Sequence, residues 1–211
     1  LYWALRGGTG GNFRVVLQVT YRMQRLDQVW AWAISWDAAH AAQVLTLMQA
    51  GYMKNGAPDA LGYMMNLGFQ NGVPVYMVQG MFCGSREDGL AAIAPLMAIP
   101  SAQLLVDKTG TYPDMNVWLE DHPYTLPDNL PDGIAETKAS GYINTRLSPA
   151  DWQRIIDYFK TSPNPWSLAY LEPYGGAINR YPMADSAFVH RNVDADLVVD
   201  VFWRNPAERA Q

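Results

Sequence analysis

The 211-residue sequence predicts an α+β fold: a mostly antiparallel sheet of about seven strands with helices packed on one face. Three observations carry this reading. Gln28 to Trp36 alternates in period two, with Trp30, Trp32, Ile34 and Trp36 on one face and Val29, Ala31, Ala33 and Ser35 on the other. Asn71-Gly72 separates two apolar, β-rich runs, which is a strong short signal for a hairpin. Helical patterns then come singly between strand patterns, so a β-β-α order recurs without sequence self-similarity between the copies.

The elements follow in order. After the Gln28–Trp36 strand, Asp37 has the chemistry of an N-cap, and Ala42, Leu45, Met48 and Tyr52 space a helix over 38–53. Leu61 to Gln70 and Val73 to Phe82 are the arms of the hairpin. Ser85 caps a helix to Met97, with Asp88 in the capping-box position. Gln103 to Lys108 is a short strand. Asp121 to Gly133, with Pro123, Pro127 and Pro131, reads as a long loop beside the site. Lys138 to Ile143 is a strand. Ser148-Pro149-Ala150-Asp151 opens a helix to about Lys160. Trp166 to Glu172 and Leu197 to Trp203 complete the sheet.

Bulk chemistry narrows the function. Hydrophobic residues make up 49% and charged ones 17%, a globular composition. A net charge of −5, with no basic run interleaved with aromatics, argues against nucleic acid as a partner. No stretch approaches the roughly 18 apolar residues of a membrane span. The single cysteine excludes an intrachain disulfide, and His40, His122 and His190 lie in no metal-ligand spacing, so no metal site is expected. Cys83 reads as a small buried residue at a strand end.

The strands Leu61–Gln70 and Val73–Phe82 carry bulky residues on both faces. The chain also holds 8 Trp, 12 Tyr and 10 Met, so one face of the sheet is expected to be an apolar platform for a flat ligand. Two glycine-rich blocks stand out. The first, Leu5-Arg6-Gly7-Gly8-Thr9-Gly10-Gly11-Asn12-Phe13, runs into the β-rich Arg14-Val15-Val16-Leu17-Gln18-Val19-Thr20-Tyr21. It is neither a Walker loop nor a dinucleotide fingerprint, because no Gly-Lys-Ser/Thr and no third spaced glycine follow. The second is Tyr170-Leu171-Glu172-Pro173-Tyr174-Gly175-Gly176-Ala177-Ile178, with Phe188-Val189-His190-Arg191 beyond it.

Together these blocks resemble the berberine-bridge-enzyme-like FAD-linked oxidoreductases of the vanillyl-alcohol-oxidase class. That family has an Arg-Gly-Gly-Gly-Gly-Asn-Phe-Gly-Val-Val segment, then Pro-Tyr-Gly-Gly-Ala-Ile and Phe-Pro-His-Arg segments at similar spacing. Lys138-Ala139-Ser140-Gly141-Tyr142 and Cys83-Gly84-Ser85 also resemble family junctions, and Arg14 departs from the family glycine.

The resemblance implies that residues 1–16 end an FAD-binding domain and that 17–211 form a substrate-binding domain, incomplete at its C-terminus. FAD is then the cofactor, met by Gly8, Gly10, Gly11, Asn12 and Phe13. The rest of the FAD-binding domain, with the flavin-attaching His and Cys, is expected from the same chain outside these residues or from a partner chain. A small-molecule substrate of natural-product, sugar or alkaloid type would lie between sheet and flavin. Strand alternation puts Trp166, Leu168, Tyr170 and Glu172 on one face, and family carboxylates two residues before the aromatic-Gly-Gly act at the site. Glu172 is therefore the expected base, with Tyr170 beside it; an acid closing an apolar face also suits that work. Two alternatives remain: a non-catalytic small-molecule binding module that lacks the flavin domain, or an unrelated α+β protein in which Glu172 faces solvent.

Overall fold

One antiparallel sheet of seven strands organises the chain. The computed structural model describes residues 1–9, 11–54, 56–120 and 132–210. The strands are β1 (Gln28–Asp37), β2 (Leu61–Gln70), β3 (Val73–Phe82), β4 (Gln103–Thr111), β5 (Ala135–Ile143), β6 (Leu168–Pro173) and β7 (Ala195–Trp203), in the order β4-β1-β3-β2-β6-β7-β5. The hairpin between β2 and β3 turns on Asn71 and Gly72, both with φ in the left-handed region that such two-residue turns require.

The tryptophan face of β1 is where the core forms. Trp30, Trp32 and Trp36 are fully or nearly fully buried against Phe82, Val78 and Tyr76 of β3 and against three helices. Those helices are α2 (Ala41–Gly51), α3 (Arg86–Met97) and α5 (Pro149–Phe159); a short α1 (Tyr2–Leu5) lies before the sheet. Gly89 of α3 sits where a Cβ would meet the Trp30 ring at 2.3 Å, so the missing side chain sets how closely α3 approaches. Ser148 and Asp151 form the full reciprocal capping box of α5, and Ser85 accepts from the Asp88 N–H at the start of α3. The expected helix from Ala38 is split: Ala38–His40 is a 3-10 turn, Asp37 makes no side-chain cap, and the α-helix begins at Ala41.

Two elements differ from expectation. Arg14 to Tyr21 does not form a strand; residues 11–27 are exposed, and among the described residues no strand pairs with them. Apolar alternation supplies a strand only where an edge is offered, and both edges of the sheet, β4 and β5, lie elsewhere. In addition, α4 (Tyr112–Glu120) follows β4 directly and packs on the face opposite the other helices, with Met115 and Leu119 against Val29, Ala31, Ala33 and Val106. Its start was legible: Thr111 donates to the Asp114 carboxylate and accepts from the Asp114 N–H, with Pro113 in the first turn. The predicted loop at 121–133 falls largely outside the described residues.

The topology is duplicated although the sequence is not. β1-α2-β2-β3 and β5-α5-β6-β7 have the same order of elements and the same spatial order, first-third-second, and they meet where β2 pairs β6 and α2 packs on α5. With α3 and β4 added, the first half is the βαββαβ arrangement.

Candidate functional site

The face opposite α2, α3 and α5 is divided. Over β1, β3 and β4 it is apolar and closed by α4. Over β5, β6 and β7 it is mixed: Lys138, Ser140, Tyr142 and Glu172 are exposed, while Val198, Asp200 and Phe202 of β7 and Leu168 of β6 are buried. Cross-strand register lines up Tyr142, Asp196 and Glu172 in one row; Ser140, Val198 and Tyr170 in the next; and Lys138, Asp200 and Leu168 in a third. Asn66 of β2 extends the middle row beyond Tyr170. The expected apolar platform is thus confined to the covered half, because its methionines and small residues pack against α4. The other half exposes polar groups of β5 and the Glu172 carboxylate around buried Val198, Asp200 and Leu168.

Glu172 and Tyr170 share this face, as alternation predicts. Glu172 is exposed and Tyr170 half-buried. The apolar burial expected around Glu172 is therefore absent within the described residues. Its cross-strand neighbour, Asp196, has one carboxylate oxygen buried without a hydrogen-bond partner. Tyr174 follows two residues later. Burial holds its phenol well above the ordinary range, helped by a hydrogen bond with Tyr142 and by the nearby Asp196 and Glu172 charges. His190 stacks on Tyr142 with centroids 4.1 Å apart, and Phe188 stacks on Tyr174 at 6.0 Å. A depression of about 400 Å³ opens on the far side of His190, lined by Asn144, Thr145, Asn192 and Val193 among others.

The second glycine block is fixed from below. Lys54 and Gly175 form an isolated parallel bridge, in which Lys54 N–H donates to Tyr174 C=O and Gly176 N–H to Lys54 C=O. A Cβ on Gly175 would lie 1.8 Å from the Lys54 oxygen, so no side chain fits. Gly176 adopts φ +49. Below the bridge, buried Asp194 accepts from Gln49 at 2.7 Å and lies 3.5 Å from the Lys54 ammonium. Asp194 N–H also donates to Ile143, and Tyr174 N–H to Asp194, which ties β5, β6 and β7 together at the Glu172 end. At the opposite end the Lys138 ammonium lies 2.9 Å from Asp200, whose side chain is 5% exposed.

The first glycine block packs against the second. Gly7, at φ +117, lets the chain pass Phe188, where a Cβ would stand 2.6 Å from that side chain. Ala187 N–H donates to Arg6 C=O, and the Trp3 indole donates to Ala184 C=O. Arg6 bonds the Tyr181 hydroxyl and lies over the Tyr2 and Tyr181 rings. Gly8 uses its N–H on Ala4 C=O, and the space where its Cβ would stand is filled by that oxygen, Ala187 and Phe13. Gly11 has nothing within 4 Å of its Cβ position, and Asn12 and Phe13 are exposed. Gly10 lies outside the described residues. Of the five predicted cofactor residues, Gly11 has open space at its Cβ position, Asn12 bonds Thr9 through its side-chain amide, Phe13 packs beside Gly8, and Gly8 is consumed by packing.

The other candidates resolve simply. Cys83 is exposed, not buried: its N–H closes the end of the sheet on Ala60 C=O and its side chain leaves the core. Arg191 holds the loop by donating to Ile178 C=O and Ser186 Oγ. Among the described residues, no group of three or more His, Cys, Asp or Glu stands close enough to hold a metal ion. None of their helices is long and apolar enough to cross a membrane. Asp196 and Asp200 were not singled out from the sequence, and Lys138 and Tyr142 entered only through the family resemblance of their segment. Their signal was the period-two placement of polar residues on β5 and β7, in register with Tyr170 and Glu172.

No family model matches the chain. Curated relatives do. The chain is 22% identical over 213 residues to an uncharacterised FAD-linked oxidoreductase, YgaK, of Bacillus subtilis, covering 100% of the chain and 45% of that protein. It is 25% identical to another from the same organism, YvdP, over 98% of the chain and 42% of the relative. Among solved structures, berberine-bridge-enzyme-like protein 28 of Arabidopsis thaliana superposes with TM-score 0.80 at 17% identity, over 99% of this chain and 44% of that one. The grass pollen allergen Phl p 4, which has glucose dehydrogenase activity, gives 0.77 at 18% identity, over 99% and 43%. The resemblance seen in the glycine blocks thus runs through the whole chain in sequence and fold. The chain spans under half the length of the proteins it matches.

Proposed function

We propose that this relative of the FAD-linked oxidoreductases is the substrate-binding portion of an FAD-dependent oxidoreductase. The observation that carries the reading is that exposed Glu172 and half-buried Tyr170 lie on one face of the sheet, near two glycine blocks that pack on each other. Likeness along the whole chain to FAD-linked oxidoreductases supports FAD as cofactor. Bound FAD would accept the hydride in the oxidation.

The chain's own residues have separate tasks. Gly11, Asn12 and Phe13 would meet the cofactor's edge. Glu172 would take the proton from the substrate group being oxidised, and being exposed it needs no rearrangement to reach it. Tyr170 would lay its ring under the substrate and orient it by its hydroxyl. The Tyr142–Tyr174 pair would shield one side of Glu172 from water. The remaining FAD-binding surface is assigned to residues outside this chain's sheet, in the same polypeptide or in a partner.

The test is a visible absorption spectrum of the 211-residue chain after FAD is added and the excess removed. No retained flavin is expected. With the FAD-binding portion supplied, flavin should be retained and be bleached anaerobically by substrate. Retention by the 211 residues alone, or none with the full protein, would overturn the division of labour.

A further inference from the structure

Strand β2 carries two residues that its own packing does not explain. Asn66 is 8% exposed, and its side-chain amide nitrogen is buried with no hydrogen-bond partner among the described residues. A buried donor left unpaired is costly, so an amide kept at such a position serves something other than packing. Trp32, Trp36, Tyr76 and Trp152 also bury unpaired polar hydrogens, but their rings fill the core beneath the helices. Asn66 lies on the opposite face, in register with Met77 of β3 on one side and Tyr170 of β6 on the other. An apolar side chain would fit between those two and strand no polar group.

Gly68 is the second. It follows Asn66 by two residues and so shares its face, about 7 Å further along the strand. Elsewhere in the sheet glycine has a steric cause: a Cβ on Gly80 would stand 2.0 Å from the Gly62 oxygen. At Gly68 nothing among the described residues lies within 4 Å of the Cβ position, and its φ is not in the left-handed region. Glycine inside a strand costs stability, and without a crowded neighbour it marks a place where something else approaches the backbone. A bare stretch of backbone therefore stands beside an unpaired donor.

Both residues are placed to reach the same molecule as Glu172. Asn66 pairs with Tyr170, so Glu172 is its diagonal neighbour across β2 and β6, about 7–8 Å away. Gly68 lies on the side of Asn66 away from Glu172. Resting on the proposed function, we infer that Asn66 and Gly68 are specificity-determining residues that touch the substrate. The Asn66 amide nitrogen donates to a carbonyl or hydroxyl oxygen of the substrate, and the substrate's body continues over the β2 backbone at Gly68. An amide nitrogen gives hydrogen bonds and accepts none, so this point selects an acceptor. A molecule lacking the oxygen leaves the donor unpaired and is rejected for that reason.

The test needs no flavin. The 211-residue chain, labelled with nitrogen-15, is titrated with cyclohexanone, which only accepts, and with cyclohexylammonium, the same ring bearing only donors. The readout is the Asn66 side-chain amide signal, assigned through the residue's own backbone. Cyclohexanone should move it along a saturable curve, and cyclohexylammonium at the same concentrations should not. Gly68→Val fills the bare position and should weaken cyclohexanone binding at least fivefold, while its urea midpoint stays equal to the parent's or rises. No saturable shift, the same shift with both probes, or an unchanged affinity in Gly68→Val would overturn the inference. So would a lower urea midpoint in Gly68→Val, because the glycine would then serve the strand itself. None of these results bears on flavin retention, which judges the oxidoreductase reading separately.

Discussion

Glu172 is the proposed base, so its amide is the most direct probe. Glu172→Gln keeps shape and hydrogen bonding but cannot take a proton. In the flavin-bearing protein it should lower the rate of anaerobic flavin reduction by about a hundredfold or more, the usual worth of a positioned base. Gly175 is as constrained for a different reason. Gly175→Ala puts a methyl into the Lys54 carbonyl, so the bridge beneath Tyr174 must open. Loss of about 2–4 kcal/mol is expected in urea unfolding, in the range of backbone lesions that cannot relax.

Asp107 gives a pH signature. It accepts from the Arg86 guanidinium and the Trp30 indole, and Arg86 above all holds its carboxyl below the ordinary range. A depressed native pKa means the contribution is complete above the ordinary carboxylate pKa of about 3.9 and disappears as pH falls through the lower native value. Stability of the native chain relative to Asp107→Asn should therefore be greatest near neutral pH and shrink below about pH 4. Equal acid profiles in thermal melts would contradict it.

At the scale of elements, α5 is held by its cap as well as by its buried face of Trp152, Ile156 and Phe159. Ser148→Ala removes the hydroxyl that accepts the Asp151 N–H, while the residue-148 N–H still donates to the Asp151 carboxylate, and should cost about 1 kcal/mol. In a chain of this size that is a fall in Tm of about 2–4 °C by calorimetry. The β2–β3 hairpin and two helix starts show why these elements were readable. Each is specified by residues adjacent in sequence: Asn71-Gly72, Ser85 with Asp88, Ser148 with Asp151. The helix α4 had the same kind of signal in Thr111 and Asp114, but its apolar face points to the far side of the sheet, a choice that local residues do not encode.

At the scale of the whole molecule, the sheet from β1 onward is one continuous packing unit, and residues 11–27 are exposed with no ladder to hold them. Trypsin should therefore cut first at Arg14, Arg22 and Arg25, leaving a product that begins just before β1 and keeps the native circular dichroism spectrum. First cleavage within α2, α3 or α5 would contradict that order. Burial of Val15, Leu17, Val19 and Tyr21, all more than half exposed here, is the change to expect when the remainder of an FAD-linked protein is supplied.

The sequence by itself determined the strands, the hairpin, the Ser85 and Ser148 caps and the shared face of Tyr170 and Glu172, because alternation and capping act over a few residues. It also determined the family resemblance, through backbone positions that only glycine tolerates. Tertiary structure decided what depends on register between distant strands. That includes the Lys138–Asp200 pair, the Tyr142–Asp196–Glu172 row, the closure of half the face by α4 and the loss of Gly8 to packing. It also left Arg14–Tyr21 without a partner strand. A period-two pattern says which way a side chain points, but only pairing across the sheet says what it points beside.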